Sequence, residues 1–328
     1  MNFRFLEVLW YHFPTILNFN KSLQYSKKCK FSAMNSKVIC CFGEILWDLF
    51  PEGKKLGGAP FNVASSLKDL GAKVYFISSV GKDSLGDEIL SHLQLRKIPD
   101  DYIQVDSVHP TGKVMVSLDE NGSAQYKIEN DAAWDFIKTT TSALELIGKS
   151  DAFVFGSLIT RGFSSQTLSE FLKVSKYNVF DLNLRPPFYD DKLLIDLMSK
   201  AQLLKFNDEE LYLVAKILNS PFHSMDQHVE FIADATGASC ICVTKGMFGA
   251  VLYQNGEWFY NSGYKIKVKD TVGAGDSFLA TLIYGIVNNN ELQTTLNRAC
   301  AMGALVAASP GANPNISESE LNRFMGLI

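Results

Sequence analysis

The chain has 328 residues, room for one large α/β domain or two small ones. A hydrophobic fraction of 47% supports a sizeable core, and a formal net charge of -4 argues against nucleic acid or an anionic membrane as the main partner. No stretch of about 18 uncharged apolar residues occurs, so no transmembrane helix is expected.

Residues 1–33 stand apart as an N-terminal extension. Arg4, Lys21, Lys27, Lys28 and Lys30 face a single acid, Glu7, a net +4 that leaves -8 for the remainder. Such a balance suits an organellar transit peptide, but the segment is poor in Arg and has no clean signal-peptide layout. The plainer reading is an upstream start, with Met34 as the initiator just before the first strand. The six cysteines include no C-x-x-C pair and sit mostly in apolar runs. They read as reduced, buried small side chains of a cytoplasmic protein.

Val38–Phe42 is a short apolar run before Gly43 and reads as a buried strand. Val63, Ala64, Leu67 and Leu70 recur at helical spacing until Gly71. Val74–Ile77 is the next strand, and Asp83 caps a helix carrying Leu85, Ile89, Leu90 and Leu93. Val114, Val116 and Leu118 then alternate, Asn121-Gly122 follows, and Ala124, Tyr126 and Ile128 alternate again. That is a β-hairpin with one wet face, unlike a buried parallel sheet. After Trp134 buried strands return at Ala152–Phe155, Val179–Phe180, Leu203–Phe206 and Cys240–Val243, with helical patterns between them. Asn255-Gly256 joins Ala250–Tyr253 to Trp258–Tyr260 as a second hairpin. Two apolar helices, about Gly275 to Val287 and Leu292 to Ala308, close the chain.

Strand and helix alternation implies a mainly parallel sheet covered on both faces, with ligands beyond the carboxyl ends of its strands. Gly156-Ser157, Asp181 with Asn183 and Arg185, Asn207 with Glu210, and Thr244-Lys245-Gly246 all fall there. The most informative segment is Asp270-Thr271-Val272-Gly273-Ala274-Gly275-Asp276-Ser277-Phe278. Its small residues let backbone approach a ligand, and the helix that follows offers N–H groups and a dipole to an anion. Asp276 in the first turn is aimed at the same space. Phosphoryl transfer needs such a pocket for negative charge and a base beside the attacking hydroxyl. Read alone, the segment is equally a glycine-rich turn with Asp as a helix cap. A second segment runs from Glu44 and Asp48 to Gly57-Gly58-Ala59-Pro60-Phe61-Asn62. An acid and an amide beside a glycine turn suit hydrogen bonds to vicinal sugar hydroxyls. No complete P-loop, G-x-G-x-x-G, H-R-D, G-x-S-x-G or H-E-x-x-H occurs.

Together, from about Val38 to Asn315, these segments resemble the PfkB, or ribokinase-like, carbohydrate kinases. The resemblance implies a three-layer α/β/α fold over residues 34–328, with a mainly parallel central sheet and a small β-sheet lid from insertions at about 47–60 and 102–134. It implies that Asp276 is the catalytic base and that the amides around Gly273, Ala274 and Gly275 form the anion hole. Asp48, Gly57, Gly58 and Asn62 would hold the sugar. Asn207 and Glu210 match the family's N-x-x-E, which acts around Mg²⁺ and the phosphates of ATP largely through water. Thr244 and Gly246 would flank the nucleotide. Cys300 falls where relatives often place Asn or His near adenine, which leaves that contact open. Asp270, with backbone near Val306 and Gly311, would be the place for a monovalent cation such as K⁺. Lids pair between subunits in many relatives, so a homodimer through the lid is compatible.

The wording around Trp47, Gly58 and Asp181–Pro186 looks most like fructokinases, which implies D-fructose giving fructose 6-phosphate. The related 2-keto-3-deoxygluconate kinases share the last segment. There Arg185 could meet a carboxylate or phosphate by a bidentate contact, or serve as a structural ion pair. A catalytically silent sugar-binding regulator on the same fold is the alternative from another class, and the intact Asp276, Gly273, Gly275, Asn207 and Glu210 argue against it.

Overall fold

A computed structural model describes residues 36–51, 53–118 and 124–328. The N-terminal extension and the Asn121-Gly122 turn lie outside the described residues. In chain order the strands are β1 (Val38–Phe42), β2 (Leu46–Phe50), β3 (Gly53–Gly57), β4 (Lys73–Gly81), β5 (Ile103–Asp106), β6 (Gly112–Leu118), β7 (Ala124–Ile128), β8 (Ala152–Gly156), β9 (Asn178–Asp181), β10 (Leu203–Asn207), β11 (Cys240–Thr244), β12 (Ala250–Gln254) and β13 (Glu257–Asn261). The helices are α1 (Ala59–Asp69), α2 (Ser84–Leu95), α3 (Thr141–Lys149), α4 (Ser164–Val174), α5 (Asp191–Met198), α6 (Asp208–Ile217), α7 (Met225–Thr236), α8 (Ala274–Val287), α9 (Leu292–Ala307) and α10 (Glu318–Phe324).

The large sheet has the order β13-β12-β11-β10-β9-β8-β1-β4-β5. Every pair from β5 to β11 is parallel. β12 and β13 are antiparallel additions, joined by Asn255 and Gly256 with φ of 50° and 89°, the conformation a two-residue hairpin turn of matching twist requires. Because side chains alternate along a strand, each apolar run feeds two cores. Cys40, Phe42, Phe153, Phe155, Phe180, Leu204 and Phe206 face α3 to α7. Ile39, Cys41, Val154, Val179, Leu203 and Cys242 face α1, α2, α8 and α9. This is the three-layer arrangement the sequence implies.

The second, smaller sheet has the order β3-β2-β6-β7. Residues 102–134 divide between the two sheets: β5 pairs with β4 at the edge of the large one, and only β6 and β7 join the small one. Trp134 returns to the main core, fully buried. Cys40, Cys41, Cys240, Cys242 and Cys300 are buried and free, as their apolar surroundings suggest. Among the described residues no helix is long and apolar enough to cross a membrane.

Candidate active site

The site forms where α8 begins above the carboxyl ends of β8, β9 and β10. Gly273 caps α8 at φ 76°, a conformation L side chains rarely adopt, and a Cβ there would run into the Ala312 backbone. No side chain caps this helix. Its first free amides therefore have no internal acceptor, apart from that of Ala274, which donates to the Thr271 carbonyl at 3.2 Å. Among the described residues the amides of Gly273, Gly275 and Asp276 donate to nothing. Together with the helix dipole they make an anion hole. Of the amides around Gly273, Ala274 and Gly275, that of Ala274 is the one with an internal acceptor.

Asp276 stands in the first turn of α8. Its Oδ2 accepts a 2.8 Å hydrogen bond from Asn62 Nδ2, and Asn62 Oδ1 accepts one of 2.8 Å from Asn313 Nδ2. This chain fixes the carboxylate. Burial pushes the Asp276 carboxyl up to about 6; the Asn62 bond, Lys205 and Arg185 oppose that push, and Asp181 adds to it. Asp276 therefore sits close enough to neutrality to take a proton and still be mostly ionised at pH 7.

The cleft below the small sheet has a volume of about 600 Å³. Leu46, Asp48, Val114 and Ile128 of the small sheet line one wall, and Asn62, Asp181, Lys205, Gly273, Gly275 and Asp276 line the floor and the opposite wall. Asp48 is raised to about 6 by burial, against the pull of Lys55 and Arg185. It lies flat against Gly57, where a Cβ would collide with its carboxylate. Gly58 has φ 111°, and a Cβ there would strike the Glu44 carbonyl. Arg185 is exposed at the mouth. Its guanidinium donates to the Leu184 carbonyl at 3.1 Å, and among the described residues no carboxylate lies within 4.0 Å of it. It is therefore not the structural ion pair that sequence alone left open.

Deeper in, Lys205 and Asp181 form an ion pair at 3.0 Å with side chains less than a tenth exposed. Burial alone would lower the Lys205 pKa, but Asp181, Glu210 and Asp276 overcome it, so the ammonium stays charged. Asn207 and Glu210 close a capping box on α6. Asn207 Oδ1 accepts from Glu210 N and Glu210 Oε2 from Asn207 N, each at 2.8 Å, while Glu210 Oε1 accepts from Leu184 N at 2.8 Å. This carboxylate ties the turn after β9 to the start of α6.

The structure brings Asp48, Gly58, Asn62, Arg185, Gly273, Gly275 and Asp276 to one cleft. Asn207 and Thr244 are register partners at the ends of β10 and β11, with Gly246 just beyond. Cys300 lies buried on α9, where burial pushes its thiol up to about 12 against the pull of Lys245. Asp270 accepts from Val272 N at 3.0 Å and Gly311 N at 3.2 Å, and Lys55 of β3 reaches its Oδ2 at 3.4 Å. Sequence reasoning missed Lys205, Glu44 and Asn313. Glu44 is buried, its Oε1 accepting from Ala59 N at 3.2 Å while Oε2 has no partner, and burial raises its carboxyl to about 7. A lysine inside an apolar strand run was the one signal available for Lys205.

Comparison with known proteins points to one family of enzymes. The model of the pfkB family of carbohydrate kinases matches residues 39–319. A probable chloroplastic fructokinase-6 of Arabidopsis thaliana is 27% identical over 319 residues, covering 88% of this chain and 82% of the relative. An Escherichia coli fructokinase is 27% identical over 301 residues, covering 85% and 95%. A crystal structure of a Vibrio cholerae O395 fructokinase double mutant with fructose, ADP and potassium ion bound superposes with a TM-score of 0.76. It is 24% identical and covers 88% of this chain and 98% of that one.

Proposed function

Because the chain belongs to the pfkB family of carbohydrate kinases, with their ribokinase-like fold, we propose that it phosphorylates D-fructose to fructose 6-phosphate with ATP. The observation that carries this reading is the Asp276 carboxylate held by Asn62 beside three unpartnered amides at an uncapped helix start. Asp48, Gly58 and Asn62 hold the sugar hydroxyls. Asp276 orients the primary hydroxyl and takes its proton as the oxygen attacks the γ-phosphorus in line. The bond to the β-phosphate breaks, and ADP leaves with that electron pair. The amides of Gly273, Gly275 and Asp276 stabilise the charge on the transferring oxygens. With the small sheet closed over the cleft, water is kept from the γ-phosphate.

Asn207, Glu210, Thr244 and Gly246 are assigned to the nucleotide side. Among the described residues no group of three His, Cys, Asp or Glu side chains stands ready for a metal. Mg²⁺ keeps several waters and is carried largely by phosphates, and Glu210 would act on it through water. When bound, Mg²⁺ neutralises charge on the β- and γ-phosphoryl oxygens. K⁺ beside Asp270 belongs to the same reading, although Lys55 competes for that carboxylate. A homodimer would form through the small sheet, whose β3 and β7 edges each have one free side. We assign the protein to the cytoplasm; the chloroplastic relative of Arabidopsis thaliana keeps an organellar destination for residues 1–33 as the alternative.

The unpaired Arg185 guanidinium favours a second reading, a 2-keto-3-deoxygluconate kinase with Arg185 on the substrate carboxylate. ADP release with Mg·ATP against fructose, 2-keto-3-deoxygluconate, ribose, tagatose, glucose and adenosine separates the two. Fructose at least about tenfold above the rest in kcat/KM, about 1.4 kcal/mol in transition-state binding, supports fructokinase. Preference for the keto-acid reassigns the sugar and keeps the mechanism. No turnover with any of them leaves an untested sugar or a silent sugar-binding regulator, and a sugar-binding titration then decides.

A further inference from the structure

We propose that Lys205 is a further catalytic residue: its ammonium, on the floor of the cleft beneath Gly275, meets the transferring phosphoryl group from the side opposite the α8 amides. This rests on the kinase reading above and deepens it.

The placement follows from strand periodicity. Leu203 points into the core beneath α8, so Lys205, two residues on, points the same way, toward the helix start. Its register partners are Asp181 on β9 and Cys242 on β11, and Cys242 is in turn opposite Leu252. One row across the sheet thus passes from two fully buried apolar side chains to an ion pair at 3.0 Å. The Lys205 Nζ lies 3.6 Å from where a Gly275 Cβ would stand, which puts the ammonium directly against the first turn of α8.

Two positive features therefore face one small space: the N-terminus of α8 and a buried ammonium. Asp181 pairs with the ammonium, and Asp181, Glu210 and Asp276 keep it charged, while Asp276 stands in the first turn of α8 without capping it. The amides of Gly273, Gly275 and Asp276 are left for an anion that both features can meet. A buried ion pair generally adds little stability over well-packed apolar residues, and the Cys242–Leu252 end of the row shows that apolar side chains fit this layer. The pair accordingly has a use other than folding. During transfer, the bond from the sugar oxygen to phosphorus forms and the phosphorus bond to the bridging oxygen breaks. The proton goes to Asp276 and the electron pair to ADP. Lys205 keeps all its protons and donates hydrogen bonds to the transferring oxygens, while Asp181 holds it in place.

The test is Lys205→Met, which keeps the length and packing of the stem. We expect kcat to fall by about 10²–10³, the cost of removing a donor from such a hole. KM for sugar and ATP should stay within about threefold of wild type, and Lys205→Arg should recover part of kcat. Tm should fall in Lys205→Met, because the buried Asp181 carboxylate loses its partner, and should return when Asp181→Asn is added. If the pair were only structural, Asp181→Asn combined with Lys205→Met would restore turnover, because no charge would remain unpaired. The proposal requires the double variant to stay slow. Near-normal kcat in Lys205→Met, or recovery in the double variant, overturns it. If the wild type turns over no sugar, the kinase reading fails, and calorimetry with ADP and aluminium fluoride then decides on Lys205 alone. Binding tighter than ADP in wild type but not in Lys205→Met supports the role; equal binding in both overturns it.

Discussion

α1 and α8 lie side by side on the same face of the large sheet, and both begin at a glycine with positive φ. Their starts are nevertheless opposite in electrostatic condition. At α1 the chain supplies its own acceptor: the buried Glu44 carboxyl takes the Ala59 amide, and Pro60 removes another donor. At α8 nothing internal takes the amides of Gly273, Gly275 and Asp276. The first helix start has an acceptor built into the fold, and the second leaves its amides open. On the function proposed above, the first borders the sugar hydroxyls and the second the transferring phosphoryl group.

The contrast can be broken most directly at the α8 start. Asp276→Asn should lower kcat at least about 100-fold while sugar KM changes little. In the wild type, kcat/KM should fall as pH drops through about 6, where Asp276 gains its proton; a profile flat to pH 5 would remove Asp276 as the base. Exchanging the two glycines gives the next largest effect. Gly273→Ala forces a side chain into positive φ against Ala312 and should cost at least about tenfold in kcat/KM for ATP, with fructose affinity kept. Gly58→Ala should do the reverse, and identical effects from both would erase the distinction. Glu44→Gln sharpens the comparison through stability. The folded chain holds the Glu44 proton up to about pH 7, whereas the unfolded chain releases it near 4.5. Between those values the unfolded state binds fewer protons, so stability falls as pH rises from about 4.5 to about 7 and levels above. The variant should flatten that slope, by an amount on the order of a few kcal/mol, read as Tm against pH. The smallest effect is expected from Lys55→Ala, which breaks a half-exposed pair to Asp270. Fructose kcat/KM should fall less than about fivefold, and added salt should mask the difference.

Much of this architecture is legible in the sequence because a strand buried on both faces must be apolar throughout, as Val38–Phe42 and Cys240–Val243 are. β5 escapes because Ile103-Gln104-Val105-Asp106 is a short edge strand with polar positions. β2 and β3 escape as strands because Gly53-Lys54-Lys55 faces water and carries no apolar alternation. Asp276 and its glycines are legible because the chemistry and the helix start occupy one contiguous segment. The Lys205–Asp181 pair is not, since it depends on the register between two strands separated by α5. The Asn313–Asn62–Asp276 chain is hidden for the same reason: its members are 251 and 214 residues apart.

Asp48 rides on the small sheet, whereas Asp276 and the open helix start are fixed in the layered body. Both arms of that sheet depart from neighbouring points, with Leu46 opposite Gly112 in parallel register. On the proposed function, the part that would read the sugar is a detachable cassette of two segments, and the part that would move phosphate is the chassis. A lineage, or an engineer, could trade one cassette for another and change which sugar is accepted without rebuilding the machinery that consumes ATP.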